Sequence, residues 1–375
     1  MTEINLYFNA EEGDSQNLLK NCPSLYSPKE GLIRSDSEYL PSVINGATFD
    51  PPILLCHRNL MNFYAMFVKK KLDLKKKREY LYAEDGGMLS LDWFNFDDEC
   101  DETTPTIVLL PGVEGSGNSV YIRYFVQNAH KMYNFRCVVL NNRGLGGNEI
   151  TSDKTYSFGK IDDVEFITNH IKQKIPKAQL FLVGFSMGGI ILVNYLSKVG
   201  TNSPYSAHIC YSNPMDLKAS WERLISTRTN KIFYGGRLTA KFKKMLLKFG
   251  HRLDQYATKK QIKNCKTAMD LDELITIKMF GYPSVEDYYK VTSPSNQIQN
   301  IKVPCLFICA KDDNFIPWRS IPYSKFKSNP NTILAMPRKG GHLGFISKSD
   351  WESWADRAGI EFLMNFINNV GTAKQ

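Results

Sequence analysis

The sequence predicts an α/β domain, a mostly parallel central sheet flanked by helices, with a helical insertion late in the chain. Three observations predict it. Short apolar runs of strand character recur at 106–110, 135–140, 180–183, 207–211, 303–309 and 332–335. Stretches with helical spacing lie between the earlier ones, at 119–133 and 160–174. Strands alternating with helices imply right-handed crossovers and therefore parallel pairing. Finally, the run at 180–183 enters an apolar, helix-compatible stretch through a tight turn, Gly184-Phe185-Ser186-Met187-Gly188.

The 375 residues can hold one large α/β domain or two small ones. Hydrophobic residues make up 43% of the chain, enough for a sizeable core. No stretch of about 18 residues is both strongly apolar and free of charge, so no transmembrane helix is expected. The first residues lack the basic and apolar regions of a signal peptide. The eight cysteines are scattered, and Cys137, Cys305 and Cys309 fall inside apolar runs. They read as reduced core thiols of a cytosolic-type compartment. No Cys/His cluster has ligand spacing, so a zinc or redox reading has little support. The expected location is the cytoplasm, with peripheral contact with membranes or lipid droplets.

The net charge of +9 is uneven. Residues 214–280 hold 15 Lys/Arg against 6 Asp/Glu, and a second basic run spans 69–78. Such patches suit nucleic acid or an anionic membrane surface. No nucleic-acid module is apparent, so no nucleic-acid partner is expected. The plain alternative is that these lysines only solvate exposed helix faces.

Residues 1–50 are polar and turn-rich and read as a loosely structured arm that packs on the core in places. At 53–68, Leu55, Leu60, Phe63, Tyr64 and Phe67 recur with helical spacing. The favoured reading is a helix packing this face on the core. The alternative is an amphipathic helix resting on a bilayer, with the following lysines on phosphate head groups. Residues 1–77 thus form an arm and helix, and 78–213 with 296–375 form the core. The span 78–94 reads as a hairpin turning at Asp85-Gly86. The strand 106–110 ends at Pro111-Gly112 and opens a Gly-rich loop. The interval 214–295 has helical stretches and no clear strand. In open α/β sheets chemistry sits beyond the C-terminal strand ends, so an insertion leaving strand 207–211 is expected to cover Ser186 as a lid. A helix at 351–370 closes the chain.

The turn at 184–188 fits G-x-S-x-G in its strand–turn–helix context, the pattern of a nucleophile elbow. The turn is tight enough to strain Ser186, and a Cβ at 184 or 188 would meet backbone. The hydroxyl then stands at a helix N-terminus, where anionic intermediates are favoured. The structural alternative is a Gly-rich turn around a satisfied serine. A serine hydroxyl needs a base, and the base an orienting acid. Two histidines follow at long range: His251 in the insertion and His342 in a Gly-flanked loop after the last strand. His342 is assigned as general base. The acid is expected after strand 303–309, where Asp312 and Asp313 stand. Asp313 is assigned, having an apolar residue three on and a proline four on. The oxyanion hole is assigned to the main-chain N–H groups of Val113 and Met187.

A set of motifs occurs in order: Pro111-Gly112, Tyr121-Ile122, Asn141-Asn142-Arg143-Gly144, the 184–189 turn with Asn194, Asn213-Pro214-Met215-Asp216, Tyr288-Tyr289, Asp312-Asp313 and Gly340-Gly341-His342. The chain resembles the fourth family of the AB hydrolase superfamily, strongly over 78–370 and weakly over 18–77. That group includes mammalian monoacylglycerol and phospholipid hydrolases and yeast medium-chain ethanol acyltransferases. The resemblance implies the α/β-hydrolase fold, acyl esters of lipids or fatty alcohols as substrates, no metal or cofactor, and Ser186, Asp313 and His342 as the triad. Many animal members begin with a membrane-spanning helix, and none is evident in this sequence. The His-x-x-x-x-Asp motif of some acyltransferases is also absent. The expected activity is hydrolysis of medium- to long-chain acyl esters through an acyl-serine. The alternative is acyl transfer to an alcohol through the same intermediate. A non-catalytic lipid-binding or scaffold protein would have a damaged triad, whereas every expected position is occupied.

Overall fold

The computed structural model describes residues 2–9, 18–19, 21–25, 33–34, 43–94 and 100–367. Its first strands are β1 (Thr2–Tyr7), β2 (Ile33–Arg34) and β3 (Val43–Phe49). After α1 (Arg58–Phe63) come β4 (Lys77–Tyr82), β5 (Met88–Phe94) and β6 (Thr106–Leu110). The sequence continues with α2 (Val120–Tyr133), β7 (Arg136–Asn141), α3 (Asp162–Lys174), β8 (Leu180–Phe185), α4 (Met187–Val199) and β9 (Tyr205–Tyr211). A helical insert follows, whose longer helices are α5 (Leu217–Ile225), α6 (Gly236–Leu247) and α7 (Val285–Thr292). The core resumes with β10 (Cys305–Ile308), β11 (Thr332–Pro337) and α8 (Trp354–Met364).

The strands form one sheet in the order β2-β3-β1-β11-β10-β9-β8-β6-β7-β5-β4. From β7 to β11 every neighbouring pair is parallel. Both flanks are antiparallel: the expected hairpin β4–β5 beyond β7, and β1 to β3 beyond β11. The loose structure expected at 1–50 is therefore corrected in its described parts: the arm packs on the core as ordered strands. Ile4, Leu6 and Phe8 alternate into the core, and β1 pairs antiparallel with β11, Ile4 opposite Pro337. The expected helix at 351–370 is shorter, because Ser353 caps it at its start. Residues 368–370 lie outside the described residues.

Each face of the sheet is covered by helices with an apolar stripe. On α2, Ile122, Phe125, Val126 and Ala129 recur at three and four and pack, with Ala358 and Phe362 of α8, on one face. Fully burying each of the larger ones is worth roughly 1.5–3 kcal/mol. Helix α2 stops at Asn134, which takes the left-handed conformation at φ 50°. On the other face, α3 sets Val164, Ile167 and Ile171 against the sheet beside Leu192 of α4. Its first turn carries Asp162, Asp163 and Glu165 and its last Lys172 and Lys174, matching the helix dipole. The sheet's parallel centre is thus held from both sides, which fixes the strand ends that carry the site.

The insert leaves the C-terminal end of β9. It buries Leu217, Trp221, Tyr288 and Tyr289 in one cluster with Met187 and Ile190 of α4, and Val113 and Phe315 pack against that cluster. The insert thereby roofs the end of β8 with apolar side chains.

The helical spacing at 53–68 is present, but the expected face is buried only in part: Tyr64 packs against the cluster of Leu55, Met61 and Ile346, and the side chain of Phe67 lies outside the described residues. Leu55 is buried, whereas Leu60 and Phe63 point to solvent, and Met61 and Asn62 go inward. Buried polar groups need partners. Here Asn62 and the half-buried Asn59 have them in loops from the far end of the chain, so they take the inner face.

Candidate active site

Strand β8 runs into α4 through a turn of very small clearance. A Cβ at Gly188 would lie 2.0 Å from the carbonyl oxygen of Leu110, and one at Gly184 would lie 2.6 Å from that of Gly188. Between them Ser186 is held at φ 52°, ψ −115°, a conformation that costs a non-glycine residue about 1–3 kcal/mol. Its N–H donates to the carbonyl of Tyr211 on β9 at 2.7 Å, which anchors the turn to the sheet. The side chain is thus presented at the first turn of α4.

Two loops from beyond β10 and β11 meet it. His342 Nε2 lies 2.8 Å from Ser186 Oγ, and His342 Nδ1 lies 2.8 Å from Asp313 Oδ2. With the Nδ1 proton donated to the carboxylate, Nε2 carries the lone pair that can accept from the serine hydroxyl. The other oxygen of Asp313 accepts the N–H groups of Phe315 at 2.7 Å and Ile316 at 3.4 Å, so the carboxylate is fixed at both oxygens. The Phe315 ring stacks on the His342 ring at 4.2 Å between centroids. The structure therefore brings Ser186, His342 and Asp313 together.

Asp312 turns elsewhere. It accepts the N–H of Gly341 at 3.0 Å, bracing the loop before His342. Burial first, then the neighbouring Asp313 charge, pushes its carboxyl above the usual carboxylate range, against the hydrogen bond from Gly341. His251 sits exposed on the insert beside Asp254, 3.1 Å away.

The loop after β6 passes close to the serine. A Cβ on Gly112 would lie 3.3 Å from Ser186 Cβ, so side-chain-free backbone can approach here. The N–H of Gly112 donates to the Tyr121 hydroxyl at 2.9 Å, which fixes the loop. Among the described residues, neither the Val113 nor the Met187 N–H donates to a protein acceptor. Lys241 of α6 reaches Glu114 at 3.1 Å and ties the insert to this loop. Among the described residues, no group of three or more His, Cys, Asp or Glu could hold a metal ion.

The sequence reading missed the contribution of α1. Asn62 Oδ1 accepts the main-chain N–H of His342 at 2.6 Å. Asn59 Oδ1 accepts from Tyr234 of the insert at 2.6 Å and from Asn314, the residue after Asp313. One short helix thus touches the histidine loop, the acid loop and the insert. The available signal was two asparagines three apart in an apolar stretch, a spacing that puts both on one helix face.

Fold and site together define a serine hydrolase architecture. A family described as alpha/beta hydrolase fold matches residues 105–349, and the chain belongs to it. An abhydrolase domain-containing protein of Dictyostelium discoideum is 44% identical over 98% of this chain and 95% of its own length. Human phospholipase ABHD3 is 29% identical over 92% of this chain and 85% of its own. Among solved structures, a Pyrococcus furiosus esterase superposes with a TM-score of 0.52 at 18% identity, covering 86% of this chain and 98% of that one, a likeness of fold. Family and relatives make the chain a lipase/esterase-type alpha/beta hydrolase. No described helix is long and apolar enough to cross a membrane.

Proposed function

We propose that this chain cleaves medium- to long-chain acyl esters of lipids, of monoacylglycerol or phospholipid type, with Ser186, His342 and Asp313 as nucleophile, general base and orienting acid. One observation carries the reading: two successive 2.8 Å contacts run from Ser186 Oγ through His342 to Asp313, beneath an apolar roof. His342 Nε2 takes the hydroxyl proton as Oγ bonds to the carbonyl carbon. The carbonyl π pair moves onto oxygen, and the N–H groups of Val113 and Met187 receive that charge. The oxyanion collapses, the bond to the leaving alkoxide breaks, and His342 returns the proton to it. Water then attacks the acyl-serine by the same steps, releasing the acid and restoring Ser186. Asp313 stays ionised throughout and stabilises the imidazolium.

Residues 214–295 serve as the lid. Their apolar cluster with Met187 and Val113 supports an acyl-chain environment over the serine. The phospholipase name of the human relative supports a phospholipid-ester class. The basic runs at 69–78 and 214–280 support peripheral contact with an anionic membrane or droplet surface, through screened attraction that salt weakens.

The test is labelling by a fluorophosphonate probe, expected for the wild type and lost in Ser186→Ala. Equal labelling of both would remove the reading. A competitive screen over esters of graded acyl length then identifies the substrate. If supplying an alcohol diverts most product from free acid to ester, acyl transfer replaces hydrolysis as the activity.

A further inference from the structure

We propose that the outer face of α1 and the stretch 225–233 of the insert form one docking surface for an anionic phospholipid bilayer, holding the Ser186 site against the lipid. The proposal deepens the lipid-ester reading above and rests on it for its purpose.

The amphipathic sense of α1 is inverted in part. Its polar Asn59 and Asn62 are turned into the protein beside the buried Met61, and its apolar Leu60 and Phe63 face out. Leu54 just before the helix is 78% exposed, Ile53 81% and Phe63 57%, with Leu60 also exposed. From the insert, Phe233 is 53% exposed and Ile232 lies open beside it. The two stretches meet through the hydrogen bond from Tyr234, the residue after Phe233, to Asn59, the residue before Leu60. Single exposed apolar residues are ordinary, but a contiguous group rimmed by polar residues marks an interaction surface.

Charge selects the occupant. Residues 51–77 contain seven Lys/Arg and one acid, Lys69 and Lys76 among them paired with Glu352 and Asp92, and residues 225–244 contain six Lys/Arg and none. The Arg237 guanidinium lies 5.8 Å from the Phe233 ring centroid, an apolar ring with a cation beside it. A row of apolar side chains bordered by cations matches acyl chains beneath a phosphate surface. A second copy of this chain would bring the same positive charge to the contact and be repelled.

Position gives the surface its use. The inner face of α1 holds the main chain of His342 and the side chain of Asn314. Helix α1 alone separates that loop from the apolar ridge, about 10 Å by the diameter of a helix. A bilayer on the ridge therefore lies at the edge of the site from which its ester groups would be drawn.

The test uses the full chain carrying Ser186→Ala, so that vesicles stay intact and adsorption is read apart from catalysis. Phosphatidylcholine vesicles with and without phosphatidylserine are sedimented at about 0.1 M and about 1 M salt. The expected result is adsorption that requires phosphatidylserine and weakens with salt. Adding Leu54→Ser and Phe233→Ser, which leave the charge unchanged, should lower the partition coefficient roughly tenfold or more. Melting temperature and circular dichroism confirm that this variant folds. Adsorption equal to the parent's overturns the proposal. So does a parent that ignores vesicles and forms a dimer that the two serines dissociate. Vesicle binding with no probe labelling of wild-type Ser186 leaves the docking surface standing and removes the enzyme reading, and the reverse pattern does the opposite.

Discussion

Replacing Asn62 by leucine separates positioning from stability at this site. The side chain is buried, and its Oδ1 must face the His342 N–H, 2.6 Å away, because only the oxygen can accept. That orientation leaves Asn62 Nδ2 buried with no partner. Leucine keeps the same number and branching of side-chain heavy atoms with bulkier methyl ends, so it opens no cavity. It orphans the His342 N–H, at a cost of about 1–3 kcal/mol, and removes an orphaned Nδ2 whose cost lies in the same range. The two offset, and global stability should move by about 1 kcal/mol or less. The histidine loop nevertheless loses the contact that fixes its backbone one residue from the ring. Misplacement by about 1 Å can lower a rate by roughly a hundredfold, so kcat should fall on the order of 10- to 100-fold with KM little changed. Steady-state hydrolysis of a water-soluble ester, read beside a urea titration, measures both quantities. If kcat stays within about twofold of wild type in a folded variant, α1 does not position His342 and the reasoning is refuted.

Three further outcomes are expected. Asp313→Asn should lower kcat by about 10⁴-fold through loss of the tautomer and of imidazolium stabilisation, while Asp312→Asn, which can still accept the Gly341 N–H, should stay within about tenfold; ester hydrolysis by the two variants decides the acid. Gly188→Ala should cost about 3 kcal/mol or more, because its Cβ would lie 2.0 Å from a backbone oxygen that the β6 ladder holds in place, and thermal melting or the yield of folded protein reads this. In the insert, burial pushes the Asp272 carboxyl up to about 6 from an ordinary 3.8, against hydrogen bonds from Tyr289 and Thr276. Between these values the folded chain keeps a proton that the unfolded chain releases, so this group makes stability fall as pH rises, by up to about 3 kcal/mol. Asp272→Asn should flatten that part of the slope between pH 4 and 6, measured by urea midpoints; an unchanged slope sinks the assignment.

The parallel strands and the three meeting side chains were legible because local chemistry forces them. A strained serine between glycines cannot be spaced otherwise, and buried parallel strands must be continuous apolar runs. Strand β1 was not legible, although Ile4, Leu6 and Phe8 alternate, because what orders it is β11 at the other end of the chain. Helix α1 misled for a deeper reason. Periodicity locates two faces of a helix, and the apolar one is assigned inward on the premise that water lies outside. Asn59 and Asn62 reverse the assignment, since loops carrying Asn314 and His342 offer hydrogen bonds that no local pattern can reveal. Leu60 and Phe63 of this helix, with Ile53 and Leu54 before it, are left uncompensated in water and bear that cost wherever the surroundings are aqueous. On the docking proposal that cost disappears against acyl chains. On the same proposal, the residues that hold the histidine loop and those that would meet the lipid lie on different sides of one short helix, and the polar contacts to the site are what leave Leu60 and Phe63 outward.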